Sequence, residues 1–175
     1  LGLLGLLFRM PPYPIGIFMP SAGLALAVAL VYGPRVLPGI FLGNICVNVW
    51  FYGFNHAYQY FFLASAIGAC LSAHLGAVLI RRVVGYPDPL EEGRKILQYM
   101  CLGGPISGLI SVVFGITTMA WLGIITLEEI PIASLSWWMA DTLGVLIFGP
   151  LVMIMVAEPY HIWHRRRITG GVPIL

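Results

Sequence analysis

Apolar runs of about 20 residues recur along this chain, each closed by proline, glycine or charge, and they leave few folds open. A helix needs roughly 20 mostly apolar residues to cross the ~30 Å hydrocarbon core of a bilayer at 1.5 Å per residue. Five such runs cover residues 15–32, 38–53, 60–80, 96–121 and 132–157. A soluble domain would have to wrap them in polar surface. With 59% apolar and 9% charged residues and a mean hydropathy of +0.93, against about 25% charged in an ordinary soluble domain, the chain has too little. The expected fold class is all-α: a polytopic transmembrane helix bundle with the lipid bilayer as its outer surface, and no soluble enzyme.

Residues 1–8 form an apolar stub without Met or a basic segment ahead of it, which reads as the cut end of a further helix. The clustered prolines of RMPPYP then mark a boundary. Five full spans plus a truncated first one are therefore expected, six in the intact bundle. GPRVLPG separates the first two full spans. Residues 81–95, with Arg81, Arg82, Asp88, Glu91, Glu92, Arg94, Lys95, Pro87 and Pro89, read as an aqueous loop. HIWHRRR closes the last span. Residues 1–167 would form the bundle, and residues 168–175 a cytoplasmic tail or the start of a linker to a missing output domain. Ala64, Gly68, Ser72 and Gly76 make a small-residue stripe at intervals of four, and Gly104, Gly108, Ser107, Ser111 and Gly115 a second, as close helix packing requires. Gly39 and Gly43 repeat that spacing. Cys46, Cys70 and Cys101 lack the spacing of a zinc site or disulfide framework and read as small buried apolar residues.

The formal net charge is only +2, and the basic residues cluster at span ends, so nothing favours nucleic acid. They read as topology markers. Placing Arg165, Arg166 and Arg167 in the cytoplasm also places Arg35, Arg81, Arg82, Arg94 and Lys95 there and leaves Arg9 outside, which satisfies the positive-inside rule. Glu128 and Glu129 then face outward. The expected location is a bacterial inner membrane with a cytoplasmic C-terminus.

Asp141 is the most costly residue, about nine positions or roughly 13 Å into its span, where an ionisable group costs several kcal/mol unless paired. It is the first candidate for ligand contact; the bland reading is a hydrogen-bond acceptor tying helices together. Asn44 falls at a matching depth and Asn48 one turn nearer the outer face. Ser21, Thr117 and Thr118 add hydroxyls to the same half. Together they predict an outer polar cluster, against the alternative that each is interhelical glue worth about 0.6 kcal/mol. Pro20, with Gly23, would break or kink the first full span. Trp137 and Trp138 stand near the outer interface, where an aromatic belt explains them without a ligand, and Trp138 is also a candidate ligand contact beside Asp141. His74 has no deep partner for a bis-His haem, and His161 and His164 sit beside arginines that repel a cation. No cofactor, metal or catalytic constellation is expected.

Two linked blocks carry a resemblance. PSAGLALAVALVYGPRVLPGIFLGN and, about 90 residues later, WWMADTLGVLIFGPL resemble the first class of membrane-associated sensor (MASE) domains of bacterial signalling proteins. The matching positions are Pro20, Gly23, Gly33, Arg35, Pro38 and Gly39, then Trp138, Asp141, Gly144 and Pro150. The resemblance implies a sensory input module that modulates a fused cytoplasmic histidine kinase, diguanylate cyclase or phosphodiesterase. Beside it stand two other expectations: an accessory subunit packing against other membrane proteins through its small-residue ladders, and a small-solute transporter component.

Overall fold

A computed structural model describes residues 19–54, 56–85 and 93–157. The stub at residues 1–8, RMPPYP, residues 86–92 of the 81–95 loop, HIWHRRR and residues 168–175 lie outside them. Every regular element among the described residues is helical. They are α1 (Pro20–Tyr32), a 3-10 turn (Gly33–Val36), α2 (Leu37–Tyr52), a second 3-10 turn (His56–Tyr58), α3 (Gln59–Val83), α4 (Gly93–Cys101), a π-helical segment (Leu102–Ile106), α5 (Ser107–Trp121) and α6 (Ile130–Ala157). Four helical stretches are long and apolar enough to cross a membrane: Pro20–Trp50, Gln59–Val83, Arg94–Trp121 and Ile130–Val152.

The first of these stretches is bent back on itself. Gly33 takes φ +72°, a conformation glycine adopts without steric cost, and ends α1; Pro34 then rules out an ordinary helical continuation. Contacts along α3 show the reversal. Leu26 lies against Gly76 and the Leu30 carbonyl accepts from Arg81 Nη2 at 2.5 Å, so α1 runs parallel to α3. After the turn, the Leu37 carbonyl accepts from Cys70 Sγ and Asn44 from Ser65, and the Tyr52 ring meets Phe61 and Phe62. α2 therefore runs antiparallel to α3. One end of the bundle is aromatic, with Trp50, Tyr52, Tyr58, Tyr60 and Trp121. The other is basic, with Arg35, Arg81, Arg82, Arg94 and Lys95.

Outward faces are apolar at helical spacing. Leu63, Ile67, Leu71 and Leu75 on α3, and Leu135, Met139, Leu143, Ile147 and Leu151 on α6, are all exposed. Contiguous apolar stripes of this length belong against lipid rather than water. Cys46 and Cys101 are exposed on such faces and Cys70 is only half-buried, so the cysteines are not the buried residues expected. Cys46 and Cys101 point outward, whereas Cys70 turns to the Leu37 carbonyl of α2. The aromatic belt also differs from expectation: Trp50 and Trp121 project outward, whereas Trp137 packs on Gly115 and Phe61 and Trp138 turns in to the backbone of Pro105.

The tightest crossing joins α1 to α6. Met19 lies outside the helix, and its N–H donates to the Ala140 carbonyl at 3.0 Å, while its own carbonyl abuts Gly144. Gly23 faces Gly144, Phe148 and Gly149. Pro20 stands in the first turn of α1, residues 15–18 of the expected span lie outside the described residues, and the two sequence blocks that carry the resemblance pack directly on each other. Gly68 and Gly76 of α3 likewise admit Phe114 and Ser107 of α5, as the small-residue stripe predicts. Gly39 and Gly43 behave differently, with nothing within 4 Å of the space a side chain would take.

Between α5 and α6, Thr126 and Glu129 form a T-x-x-E pair of capping-box type. The Glu129 carboxylate accepts from the Thr126 N–H at 2.7 Å and from its hydroxyl at 2.9 Å. These two bonds, the backbone one foremost, hold the Glu129 carboxyl below the usual range. A lowered folded-state pKa means the bonds are fully present above ordinary glutamate values, about 4.3, and are lost as pH falls through the lower folded value. The Thr126 amide chemical shift is expected to titrate with that depressed midpoint and to stop titrating in Glu129→Gln. A Thr126 shift indifferent to pH in the unsubstituted protein would contradict the pairing.

Candidate functional site

Two apolar clusters occupy the ends of the bundle. Leu26, Leu30, Ala73, Ala77, Ile80, Tyr99 and Val145 pack toward the basic end, and Phe61, Phe62, Val112, Ile116, Met119 and Ala133 toward the aromatic end. The layer between them is where the small and polar residues of α3, α5 and α6 fall: Ser65, Ser72, Ser107, Ser111 and Asp141. Its side chains are too small or too polar to close it. A cavity of about 530 Å³ results, walled by α1, α2, α3, α5 and α6.

Asp141 stands in its wall, 8% exposed. The Ser111 hydroxyl and the Trp137 indole are its side-chain hydrogen-bond partners. Across the cavity, Asn48 Nδ2 donates to Asn44 Oδ1 at 2.8 Å and to the Asn44 carbonyl at 3.0 Å, and Ser65 Oγ donates to Asn44 Oδ1 at 3.2 Å. The Ser65 bond ties α3 to α2, the Asn48 bonds brace Asn44 within α2, and the same amides line the cavity. Ser21 and Met19 reach it from the start of α1. Four of the residues expected in a polar cluster, Asp141, Asn44, Asn48 and Ser21, therefore share one space.

Two do not. Thr118 Oγ1 donates to the Phe114 carbonyl at 2.8 Å, one turn back on its own helix, and Thr117 is exposed and bonds back to Val113 in the same way. Trp138 Nε1 donates to the Pro105 carbonyl at 2.8 Å, and the cavity-lining tryptophan is Trp137. The reason is helical phase: Trp137 and Trp138 precede Asp141 by four and three residues and flank it about 100° apart, and the cavity lies on the side that Trp137 takes, whereas Trp138 turns toward Gly108 and Pro105. The carbonyl that Trp138 meets is made available by the π-helical segment, where Gly103, Gly104 and Pro105 interrupt the regular ladder. Ser72, Ser107 and Ser111 line the cavity although the sequence reading assigned them only to packing, and Ser65 lines it without having been singled out. Their signal was present: Ser107 and Ser111 are one turn apart and share a face.

Of the remaining motif positions, Arg35 is exposed in the 3-10 turn and Pro38 sits in the first turn of α2, where a missing N–H costs nothing. Gly39 and Gly43 line the cavity. Pro150 interrupts α6 toward its basic end.

Comparison with curated proteins and with solved structures finds no match to this chain. The MASE1 family model matches residues 2–174, nearly the whole length. A bundle of apolar helices around a polar cavity, with the family's two sequence blocks meeting at the Gly23–Gly144 crossing, agrees with that match: the chain belongs to the MASE1 family of membrane sensory domains.

Proposed function

We propose that this chain is the input module of a membrane signalling protein, in which a small molecule or partner group seated beside Asp141 biases α6 between two positions. The observation that supports it most is the cavity itself. It holds an intramembrane carboxylate, which is functional by default, on α6, which contacts α1 through bare backbone and then runs toward the basic end. Ligand binding can move such a helix only by differing in affinity between two states.

In this reading α1 and α2 are separate crossings, giving five full spans and a truncated first one. The basic end is cytoplasmic, by the positive-inside rule, in a bacterial inner membrane. Residues 168–175 lead to an output module of histidine kinase or diguanylate cyclase type. Ala69 lines the cavity from α3, so Ala69→Phe fills it from the wall. The expected result is a folded protein whose output no longer responds to stimulus. A normal response from a folded Ala69→Phe protein would remove the cavity from the mechanism.

A second reading is an accessory subunit of a larger membrane complex. It is favoured by the open space beside Gly39 and Gly43, where a neighbouring helix could approach closely. Copurification of a defined complex that Gly43→Leu disperses would support it.

A further inference from the structure

The charge pattern of the cavity narrows what it accepts. Among the described residues, Asp141 is the one carboxylate in the lining, and no Lys, Arg or His lines it. Arg81 stands at the basic end, where its Nη2 donates to the Leu30 carbonyl at the end of α1. A carboxylate buried without a counter-cation is costly, and the donors from Ser111 and Trp137 satisfy only part of its hydrogen-bonding capacity. An anionic ligand would set like charges together where the dielectric is low. A neutral ligand would fill the space and leave the acid unpaired.

The wall beside the acid is aromatic. The Trp137 and Phe61 rings meet edge to face with centroids 6.2 Å apart, and Phe61 meets Tyr52 edge to face at 6.0 Å. Aromatic faces attract a cation and bury an apolar body equally well. The volume, about 530 Å³, lies within the roughly 300–1,000 Å³ of organic-ligand sites and far exceeds what a bare metal ion needs.

We infer that the cavity binds a monovalent organic ammonium, its charged nitrogen paired with Asp141 and its apolar body laid against Tyr52, Phe61 and Trp137. The inference rests on the cavity being a ligand site and adds the chemical class of the ligand.

Three probes of one shape test it: 4-phenylbutylamine, 4-phenylbutan-1-ol and 4-phenylbutyrate, titrated calorimetrically near neutral pH into the full chain in zwitterionic nanodiscs, with empty discs subtracted. The amine is expected to bind about tenfold more tightly than the alcohol, the equivalent of one charge-assisted bond, and the carboxylate not to bind. Asp141→Asn should erase the difference between amine and alcohol, and Asp141→Glu should keep it. The comparison across probes in the unsubstituted protein stands even where a variant fails to fold. An alcohol that binds as well as the amine, or an amine preference that survives Asp141→Asn, would overturn the proposal. Equal binding of all three that Ala69→Phe abolishes would overturn the ammonium class and leave the cavity as a ligand site. Absence of binding by every probe overturns the class as well, and the role of the cavity in signalling is then read separately from the output of Ala69→Phe.

Discussion

Gly144→Ala is expected to destabilise the folded bundle by roughly 2–3 kcal/mol, the upper part of the usual range for overpacking. The added methyl would meet the Met19 carbonyl, which is backbone and has no rotamer to yield. To make room, α1 must withdraw from α6. That movement strains the Met19 N–H to Ala140 carbonyl bond and separates Gly23 from Gly144 and Gly149. The gain in helix propensity on replacing glycine by alanine, up to about 1 kcal/mol, offsets only part of this. Gly43→Ala supplies the internal comparison, because nothing lies within 4 Å of its added methyl. It is expected to be neutral or slightly stabilising. Unfolding titrations of the two variants side by side read the difference, and equal midpoints would contradict the close crossing.

The same crossing shows what a linear sequence conveys and what it withholds. Apolar runs between proline, glycine and charge marked the helices to within a few residues: residues 60–80 against Gln59–Val83, and residues 132–157 against Ile130–Ala157. Period and composition are local properties and survive in one dimension. The pairing of Pro20–Gly23 with Gly144 is not local, and only their joint presence in a family pattern linked them.

Asp141, Asn44 and Asn48 could be placed at matching depths by counting residues at 1.5 Å of rise. Depth does not give helical phase across different helices, however, and Thr118 and Trp138 failed on that ground. Serines on the inner faces of α3 and α5 were legible as packing residues. Their second role, lining the gap left by that packing, depends on how far α2 stands from α1. The π-helical segment at Leu102–Ile106 had a signal in GGP, inside a run otherwise regular enough to pass as one helix.

The second large effect is expected at Asp141. Asn is nearly isosteric with Asp, so in Asp141→Asn the Ser111 and Trp137 donors still find an acceptor and insertion is expected to be unchanged. What disappears is the charge that would discriminate between a liganded and an empty cavity. A charge-assisted contact of about 1.5–3 kcal/mol corresponds to a shift of about tenfold or more in the balance between two states. The effect should therefore appear in signalling and not in folding, the reverse of Gly144→Ala.

The most direct measurement is the stimulus dose response of the full-length protein's cytoplasmic output, with and without Asp141→Asn, at equal amounts of protein in the membrane. If the cavity around Asp141 is the input site, the substituted protein gives a response displaced by about tenfold or more, or none. Superimposable dose responses from the two proteins would contradict it.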